Sequence, residues 1–429
     1  MTTLDATVPM AAAVPPVPAH GVARFVGNKG NFWRLNLRGA FLLMVTLGTY
    51  RFWLTTDIRR FLWSNTVLAD ESFEYTGTAR ELLLGFLFAI AVLVPLYMAL
   101  FAVSLNLGVI GQLSSLIGFV LLAVLGQFAI YRARRYRLTR TIYRGVRFQQ
   151  SGSGWRYAAC ALFWWAMIVL TLGLAYPFAQ SRLERFKMRH TFFGDLQGRF
   201  VGSGWGLFFR GIVMWVIVVG PFLAGLWVLA VGIDWGVLAA AAQDSNSTAA
   251  DILGRISAGS PDLGVKIGIA FGALGWAVLM ALMLYPVFQA MILRWWASGL
   301  RFGDLSMTSR VRTGSVYGAY ARFIGLSIAY SIAVATLMGM VLGLVGVTLG
   351  ADSDNKEIGN AVVGLVSYVI FMVGSSAIYQ VTVRLALWRL IVESLDIANI
   401  STLDRVTAQG QPSSPFGEGL ADALNVGGL

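Results

Sequence analysis

Residues 46–82 read TLGTYRFWLTTDIRRFLWSNTVLADESFEYTGTAREL, and residues 171–207 read TLGLAYPFAQSRLERFKMRHTFFGDLQGRFVGSGWGL. Aligned without a gap, the two stretches share nine residues, where ordinary residue frequencies would give about two or three. A weaker third copy begins at Tyr285, where the pattern Y-P-x-x-Q-x-x-x-x-R-[FW] and a later G-D-L repeat those that begin at Tyr176. These similarities predict internal repeats at about 22–131, 132–292 and 293–400.

The composition is that of a polytopic membrane protein. Hydrophobic residues make up 57% of the chain, charged residues 13%, and the mean hydropathy is +0.69, which leaves too little polar surface for a soluble globule. The apolar runs are continuous and do not alternate, so they predict helices and an all-α bundle. Eight runs approach the length of about 20 residues that a crossing needs: 36–54, 82–104, 107–131, 157–179, 206–232, 266–292, 319–349 and 360–387.

The two ends of the chain differ from this pattern. Residues 1–21 lack the basic segment of a signal peptide and contain several prolines, so we predict a disordered N-terminal lead. Residues 409–429 are rich in Gly, Pro and Ser, which predicts a flexible C-terminal tail. The membrane domain is therefore expected between residues 22 and 400.

Charge predicts the orientation of the bundle. Residues 132–156 carry eight arginines and no acid, and residues 180–205 and 293–318 are also basic. The positive-inside rule places these loops in the cytoplasm and the acidic loops 233–265 and 350–360 outside. We therefore expect a bacterial inner-membrane protein with both termini in the cytoplasm. The net charge of +12 then reflects topology, and nucleic acid is not an expected partner.

Two of the eight runs, 36–54 and 157–179, lie between basic segments on both sides. This favours six full spans plus two re-entrant or interfacial segments, with short strand-like loops on the cytoplasmic side. Gly48 and Gly173 are the expected break points, because glycine tolerates unusual dihedral angles. The alternative is eight full spans, since the Y-P-x-x-Q motif that closes 157–179 also closes the run 266–292.

Proline and glycine suggest two further features of the spans. Pro95 and Pro221 lie at corresponding places after Leu82 and Leu207, and each is expected to kink its helix, either as a packing feature or as a functional hinge. Glycines recur on one helical stripe near the third hairpin, which predicts close backbone packing. These are Gly339, Gly343, Gly346 and Gly350.

Three segments resemble the YjgN-like family of bacterial inner-membrane proteins, a domain of unknown function. They are RFVGNKGNFWRLNLRGAFLLMVTLGTYRFWLTTDIRRFLWSNT, YRLTRTIYRGVRFQQSGSGWRYA and TLGLAYPFAQSRLERFKMRHTFFGD, and the likeness covers about residues 22–400. The resemblance implies a location and a topology class. It implies no activity and no catalytic residue.

Signatures of enzyme chemistry are missing from the sequence. The only histidines are His20 and His190, too few for a His-based metal cluster or a catalytic triad. Acidic residues avoid the predicted hydrocarbon layer, where ion-coupled carriers usually need one. We therefore expect no enzyme activity, no metal and no cofactor.

One polar constellation recurs in the repeats. Each copy places an aspartate ten residues after a membrane-proximal arginine, giving Arg60 and Asp70, Arg185 and Asp195, and Arg294 and Asp304. The arginine and aspartate could pair at headgroup level. Alternatively, the arginines could bind the phosphates of anionic phospholipids while tryptophans such as Trp63 and Trp296 anchor the interface.

Two classes of function follow from these features. The repeats and the proline-containing helices favour a transporter or channel for a small solute. The missing intramembrane charge and the basic loops favour a non-transporting scaffold or an anionic-lipid-interacting protein. The lipid bilayer is the expected partner in either case, and both readings are compatible with a homo-oligomer.

Overall fold

The computed structural model describes residues 20–106, 108–233, 262–349, 354–409 and 412–426, together with 235, 236, 239, 240, 248, 251 and 254. Six helical stretches are long and apolar enough to cross a membrane: Ala79–Leu105, Leu113–Thr139, Gly204–Gly232, Leu263–Gly299, Thr313–Thr348 and Glu357–Ser394. The prediction of an all-α polytopic membrane protein with six spans is confirmed. The predicted N-terminal lead lies almost wholly outside the described residues.

The helices, in chain order, are α1 (Lys29–Val45), α2 (Arg51–Ser64), α3 (Ala79–Asn106), α4 (Gly108–Thr139), α5 (Gly154–Leu170), α6 (Tyr176–Arg189), α7 (Gly204–Gly232), α8 (Leu263–Gly299), α9 (Thr313–Leu349), α10 (Asp354–Tyr379), α11 (Leu385–Ser394) and α12 (Phe416–Ala423). A π-helical turn, Gln380–Arg384, joins α10 to α11. A 3-10 helix, Ile400–Arg405, follows the last strand.

The strands are β1 (His20–Phe25), β2 (Thr66–Leu68), β3 (Glu71–Ser72), β4 (Glu74–Tyr75), β5 (Thr141–Tyr143), β6 (Val146–Gln150), β7 (Thr191–Phe193), β8 (Leu196–Phe200), β9 (Leu300–Phe302), β10 (Leu305–Ser309) and β11 (Leu395–Ala398). All neighbours are antiparallel, in the order β3-β2-β1-β11-β10-β9-β8-β7-β6-β5-β4. The predicted strand-like loops thus form one sheet.

This sheet closes into a ring. Its two edge strands, β3 and β4, are consecutive in the chain and are separated only by Phe73, whose N–H donates to the Thr66 carbonyl at 3.2 Å. Two strands along from β3, β1 pairs with β11, so the first and last strands of the chain are neighbours in the circle: Gly21 lies opposite Ile397. Closure leaves no long unpaired edge. We call this assembly the strand ring.

Tight turns connect the strands of each hairpin. The connections Ala69-Asp70, Arg144-Gly145, Gly194-Asp195 and Gly303-Asp304 each contain a residue with positive φ, as two-residue hairpin turns require. The repeated G-D-L of the sequence is therefore a turn followed by the first residue of a strand. In two of the copies this placement puts Gly194 and Gly303 at the position of positive φ.

The runs 36–54 and 157–179 are helical hairpins. In the first, Leu47 and Gly48 have φ of 49° and 88°, and in the second Leu172 and Gly173 have φ of 51° and 94°. A threonine at the equivalent position closes each turn: the Thr46 hydroxyl donates to the Leu42 carbonyl, and the Thr171 hydroxyl donates to the Met167 carbonyl, each at 2.7 Å. The predicted break points are confirmed. Each hairpin begins and ends at the strand ring.

The membrane-spanning helices form three hairpins that leave the strand ring and return to it. The pairs are α3 with α4, α7 with α8, and α9 with α10 and α11. The predicted basic loops 132–156, 180–205 and 293–318 supply strands to the ring and therefore lie together on one side. The predicted outer loops 233–265 and 350–360 lie largely outside the described residues.

The main core lies inside the strand ring. Its buried side chains come from strands around the whole circle, including Phe25, Leu68, Tyr143, Phe193 and Ile397. Aromatic rings continue this core, with centroid distances of 4.7 Å for Phe73 and Tyr143 and 4.6 Å for Phe148 and Phe193. Burial of large aromatic surfaces supplies much of the stability of such a small sheet.

The glycine stripe does not pack as predicted. A Cβ atom added at Gly339, Gly343 or Gly346 would meet no atom within 4 Å, and Gly350 lies outside the described residues. Close packing occurs elsewhere: a Cβ at Gly225 of α7 would lie 2.6 Å from Ala273 of α8. Periodic glycine on a helix allows close approach but does not supply a neighbour.

The prolines of the spans lie inside continuous helices. Pro95 is in α3, Pro221 is in α7, and a third, Pro286, is in α8. Proline has no backbone N–H to donate to the carbonyl of the residue one turn earlier, so each proline leaves one carbonyl of its helix without that hydrogen bond. The kinks and the hinge role remain predictions.

Candidate functional site

The most distinctive cavity lies at the strand ring. It has a volume of about 440 Å³, within the range of about 300–1,000 Å³ typical of small-molecule sites. We call it the ring chamber. Its lining is Ala23, Trp63, Thr66, Leu68, Phe73, Leu138, Thr141, Phe148, Trp296, Leu300, Met307, Trp388, Ile391, Val392, Leu395 and Ile397.

The ring chamber offers no free polar group from its lining side chains. Trp63 donates its indole N–H to Thr141 at 2.9 Å, and Trp388 donates to Thr66 at 3.0 Å. The two threonine hydroxyls in turn donate to carbonyls of the preceding helical turn. Trp296 donates to a carboxylate oxygen of Glu184 at 3.2 Å. Because each of these polar groups already has a hydrogen-bond partner in the protein, an apolar ligand can occupy the chamber without leaving a buried polar atom unpaired.

Two smaller cavities lie between the ring chamber and the membrane-spanning helices. The first, which we call the passage, shares Ile391 with the chamber and has a volume of about 300 Å³. The second, the membrane groove, measures about 330 Å³ and lies between the α5–α6 hairpin, α7 and α8. The passage and the groove share Tyr176, Tyr285 and Phe288. Cavity lining is therefore continuous from the spans to the chamber.

A layer of ionisable side chains lies one helical turn on the membrane side of the chamber. Three residues that line the chamber are each preceded, four residues earlier in the chain, by an arginine. Arg59 precedes Trp63, Arg137 precedes Thr141, and Arg384 precedes Trp388. Within a helix, residues four apart lie on the same face, about 5.4 Å apart along the axis, and the hydroxyl of Thr141, in β5, donates to the Arg137 carbonyl at 2.9 Å. We call Arg59, Arg134, Arg137, Lys187 and Arg384 the cation layer.

Arg59 is the most buried member of the cation layer. Its side chain is 4% exposed and forms an ion pair with Glu418, which is 6% exposed. It also donates to the Tyr75 hydroxyl at 3.1 Å. Burial alone would lower the pKa of Arg59, but the attraction of Glu418 and Tyr75 raises that pKa further than burial lowers it. The guanidinium is therefore charged at every physiological pH.

Glu184 and Lys187 form a second pair in the layer. Burial raises the pKa of Glu184, but the positive charges of Lys187 and Arg134 outweigh burial and hold that pKa below its usual range. Burial lowers the pKa of Lys187 below its usual range, and the partial compensation comes from Glu184. These positive charges favour the ionised carboxylate of Glu184, which also accepts from the indole N–H of Trp296.

Glu418 comes from a segment that we predicted to be loose. The prediction of a flexible tail is corrected for residues 416–423, which form α12 and pack between α3 and α4. The approach is so close that a Cβ at Gly419 would overlap the backbone of Gly85. The apolar spacing of Phe416, Leu420 and Leu424 was the signal for this helix, and the overall Gly and Ser content concealed it.

The predicted Arg/Asp constellation is distributed differently from our expectation. Arg60 donates to the Gly77 carbonyl at 3.1 Å, and Arg185 donates to the Gly202 carbonyl at 3.2 Å, so equivalent arginines hold equivalent loops. Arg294 lies 3.5 Å from the Thr313 hydroxyl. Each arginine thus braces its own hairpin.

The aspartates lie at the tips of the strand hairpins, away from these arginines. Asp70 has φ of 62° within its turn. Asp195 accepts from the Thr407 N–H at 3.0 Å, and the Asp304 carbonyl accepts from Asn399 at 3.0 Å. The structure therefore does not bring the predicted partners together, because the end of a helix and the first strand of the hairpin separate each arginine from the turn.

The residues of the chamber and the cation layer were mostly missed by the sequence analysis. Trp63 and Trp296, expected to anchor the membrane interface, instead line the chamber. One available signal was the alignment itself, which matches Arg59 with Glu184 directly before the shared Arg60 and Arg185. Among the described residues, no cluster of three or more His, Cys, Asp or Glu could hold a metal ion.

The sequence model of one protein family matches residues 21–423, and that family is described as a bacterial protein of unknown function, DUF898. No curated protein matches the chain, and no solved structure matches it.

Proposed function

The chain belongs to the DUF898 family of bacterial proteins of unknown function, and we propose that it is an integral membrane protein that binds a lipid-like amphiphile in its ring chamber. The predicted resemblance to the YjgN-like family is confirmed, since DUF898 is that family. The observation that carries the proposal is the apolar chamber whose lining continues, through Ile391 and then Tyr285, to the membrane groove.

The energetics of uptake support an acyl or similar hydrocarbon chain. Lipid tails are as apolar as the leucines of a membrane helix, so transfer of a chain from the bilayer to an apolar chamber is close to neutral in free energy. A water-soluble polar solute would instead lose hydrogen bonds that the chamber lining does not replace. This favours an anionic-lipid-interacting protein over a transporter or channel for a small polar solute.

The orientation of the protein completes the proposal. The strand ring is built from the basic loops, so we place it on the cytoplasmic side of the inner membrane, with both termini there. The ring chamber then lies at or below the cytoplasmic headgroups, and the membrane groove opens toward the inner leaflet. The recurring helix, hairpin and helix order, which we attribute to duplication, would provide the wall of this compartment.

Photo-crosslinking in proteoliposomes tests the function. The probe is phosphatidylglycerol with a diazirine near the end of one acyl chain. We expect crosslinks to chamber peptides containing Met307 or Leu395, in addition to the outer faces of the spans. The variant Ile391→Trp should block the passage and abolish the chamber crosslinks while groove crosslinks persist.

The matched control is Leu365→Trp, an equal increase in size at a side chain of α10 that is 65% exposed. It should leave chamber crosslinking unchanged. If the probe labels only outward-facing residues in the parent and in both variants, the chamber does not take up lipid chains and the proposed function is wrong.

A further inference from the structure

The cation layer carries more positive than negative charge. Five cations face two carboxylates, Glu184 and Glu418, among the described residues of the layer. The members of the layer are close enough to repel one another. Arg384 interacts electrostatically with Arg59 and Arg137, and Lys187 interacts with Arg134 and Arg137. The neighbouring pair Arg51 and Asp422 is balanced and does not change the excess.

Burial makes this excess costly. Arg59 is almost fully buried, and Arg137 is 15% exposed. Charges removed from water are stable only when they are paired and hydrogen-bonded. Yet the Nη1 atom of Arg137 and the Nε atom of Arg59 are buried without a hydrogen-bond partner. These two donors are unpartnered groups in a site with surplus positive charge.

Glu418 partly fills the role of an anion in this site. One of its oxygens pairs with Arg59, and the other lies 3.9 Å from Arg137 Nε, beyond hydrogen-bond distance. That second oxygen has no hydrogen-bond donor. The carboxylate of Glu418 has only two oxygens and therefore leaves Arg137 without a close partner. A tetrahedral anion has more acceptor oxygens and could reach both guanidinium groups.

We propose that the cation layer is a binding site for a phosphate group, and that Glu418 of α12 occupies this site when phosphate is absent. The phosphate can be that of a lipid headgroup or a free ion, and the experiment below separates these sources. The lipid source rests on the proposed function, since it requires a chain in the chamber one turn away. The site itself does not.

Binding to the full chain in dodecyl maltoside, in phosphate-free buffer, tests the site. One arm titrates inorganic phosphate by calorimetry. The second arm compares dioleoyl phosphatidic acid with dioleoylglycerol, which has the same chains and no phosphate, by native mass spectrometry. The variants are Arg137→Gln, Arg137→Lys, Glu418→Gln and the control Arg189→Gln, an equal charge change at an exposed residue of α6.

Arg137→Gln should weaken phosphate or phosphatidic acid binding about tenfold or more, the scale of one hydrogen bond to a charged group. Arg137→Lys should recover part of that binding. Arg189→Gln should leave binding unchanged, which separates the site from the general positive charge. Glu418→Gln should bind phosphate more tightly than the parent, and phosphate should raise its melting temperature more than it raises that of the parent.

The outcomes separate the site from the proposed function. Equal binding by Arg137→Gln and Arg189→Gln overturns the site, and phosphate binding that Glu418→Gln leaves unchanged or weakens overturns the role of Glu418. If inorganic phosphate does not bind and phosphatidic acid and dioleoylglycerol are retained equally, while chamber crosslinking persists, the site is wrong and the function stands. If inorganic phosphate binds through Arg137 while no lipid labels the chamber, the site stands for the free ion and the function is wrong.

Discussion

Helices α2 and α6 have the same preceding turn and the same bracing arginine, but they carry opposite charges at one buried position. Both follow a T-L-G turn of the same conformation, and both use an arginine, Arg60 or Arg185, to hold a glycine carbonyl 17 residues later. At the position directly before that arginine, however, α2 presents the cation Arg59 and α6 presents the anion Glu184. Both of these central residues are buried.

The contrast separates the residues that build the fold from those that build the site. The shared residues make the same local hydrogen bonds in both regions. The residues that differ lie in the layer of buried charges. Arg59 pairs with Glu418 of α12, whereas Glu184 pairs with Lys187 of its own helix and accepts from Trp296 of α8. Five predictions follow from this comparison, ordered by expected effect.

The largest loss of stability is expected on removal of the charge of Glu418, the counter-ion of Arg59 in α2. Glu418→Gln leaves Arg59 buried without a counter-ion, and breaking such a pair costs about 3–5 kcal/mol. The melting temperature in phosphate-free detergent should fall accordingly. The control Asp422→Asn removes the same charge from the same helix, where the pair with Arg51 is 41–42% exposed, and an exposed pair contributes about 1 kcal/mol or less. Equal losses in the two variants would contradict the assignment.

The second prediction concerns α6. Glu184→Gln should lower the free energy of unfolding by about 1–3 kcal/mol, less than the loss at α2, because Lys187 can lose its proton when it is left unpaired. The double variant Glu184→Gln with Lys187→Met should recover part of this loss. Additive single effects across the double-mutant cycle would show that the two side chains are not coupled.

The same carboxylate predicts a pH dependence. The folded pKa of Glu184 lies below its ordinary value of 4.5, so its contribution to stability is complete above that pH and is lost as the pH falls through the folded pKa. The parent should therefore lose stability more steeply than Glu184→Gln as the pH is lowered below about 4.5. Parallel pH profiles of the two proteins would remove the support for an ionised Glu184.

The fourth prediction tests the shared turn. Gly48→Ala and Gly173→Ala force alanine into positive φ, which costs about 1–2 kcal/mol for an L-residue. A Cβ at Gly48 meets nothing within 4 Å, and one at Gly173 meets only Trp215 at 3.6 Å, so strain is the main cost in both. Thermal unfolding should show similar losses. A loss at one position only would mean that the two turns are not equivalent.

The smallest effect is expected at the shared arginines. Arg60→Gln and Arg185→Gln each remove one hydrogen bond to a glycine carbonyl, at about 0.5–1.5 kcal/mol. The two variants should lose similar stability and should retain phosphate binding, since neither arginine belongs to the cation layer. A selective loss of phosphate binding in either variant would extend the site beyond the residues that we assign to it.

Much of the fold was readable from local pattern. The length and continuity of the apolar runs predicted the six spans, and the basic flanks with Gly48 and Gly173 predicted the two helical hairpins. The glycine stripe of α9 and the flexible tail were misread for a common reason. Periodicity and composition describe one segment, whereas packing depends on which neighbour lies against it, and α12 acquires its neighbours only from α3 and α4.

The sequence by itself determined the class of the protein, the number of its crossings and the grouping of its basic loops on one side, because hydrophobic length and charge balance act locally along the chain. The tertiary structure decided the closure of the strand ring and the charge pairs of the site. Arg59 and Glu418 are 359 residues apart, and β1 meets β11 only after every span has been placed. No local pattern specifies such partners, since their attraction becomes strong only where folding has removed water from between them.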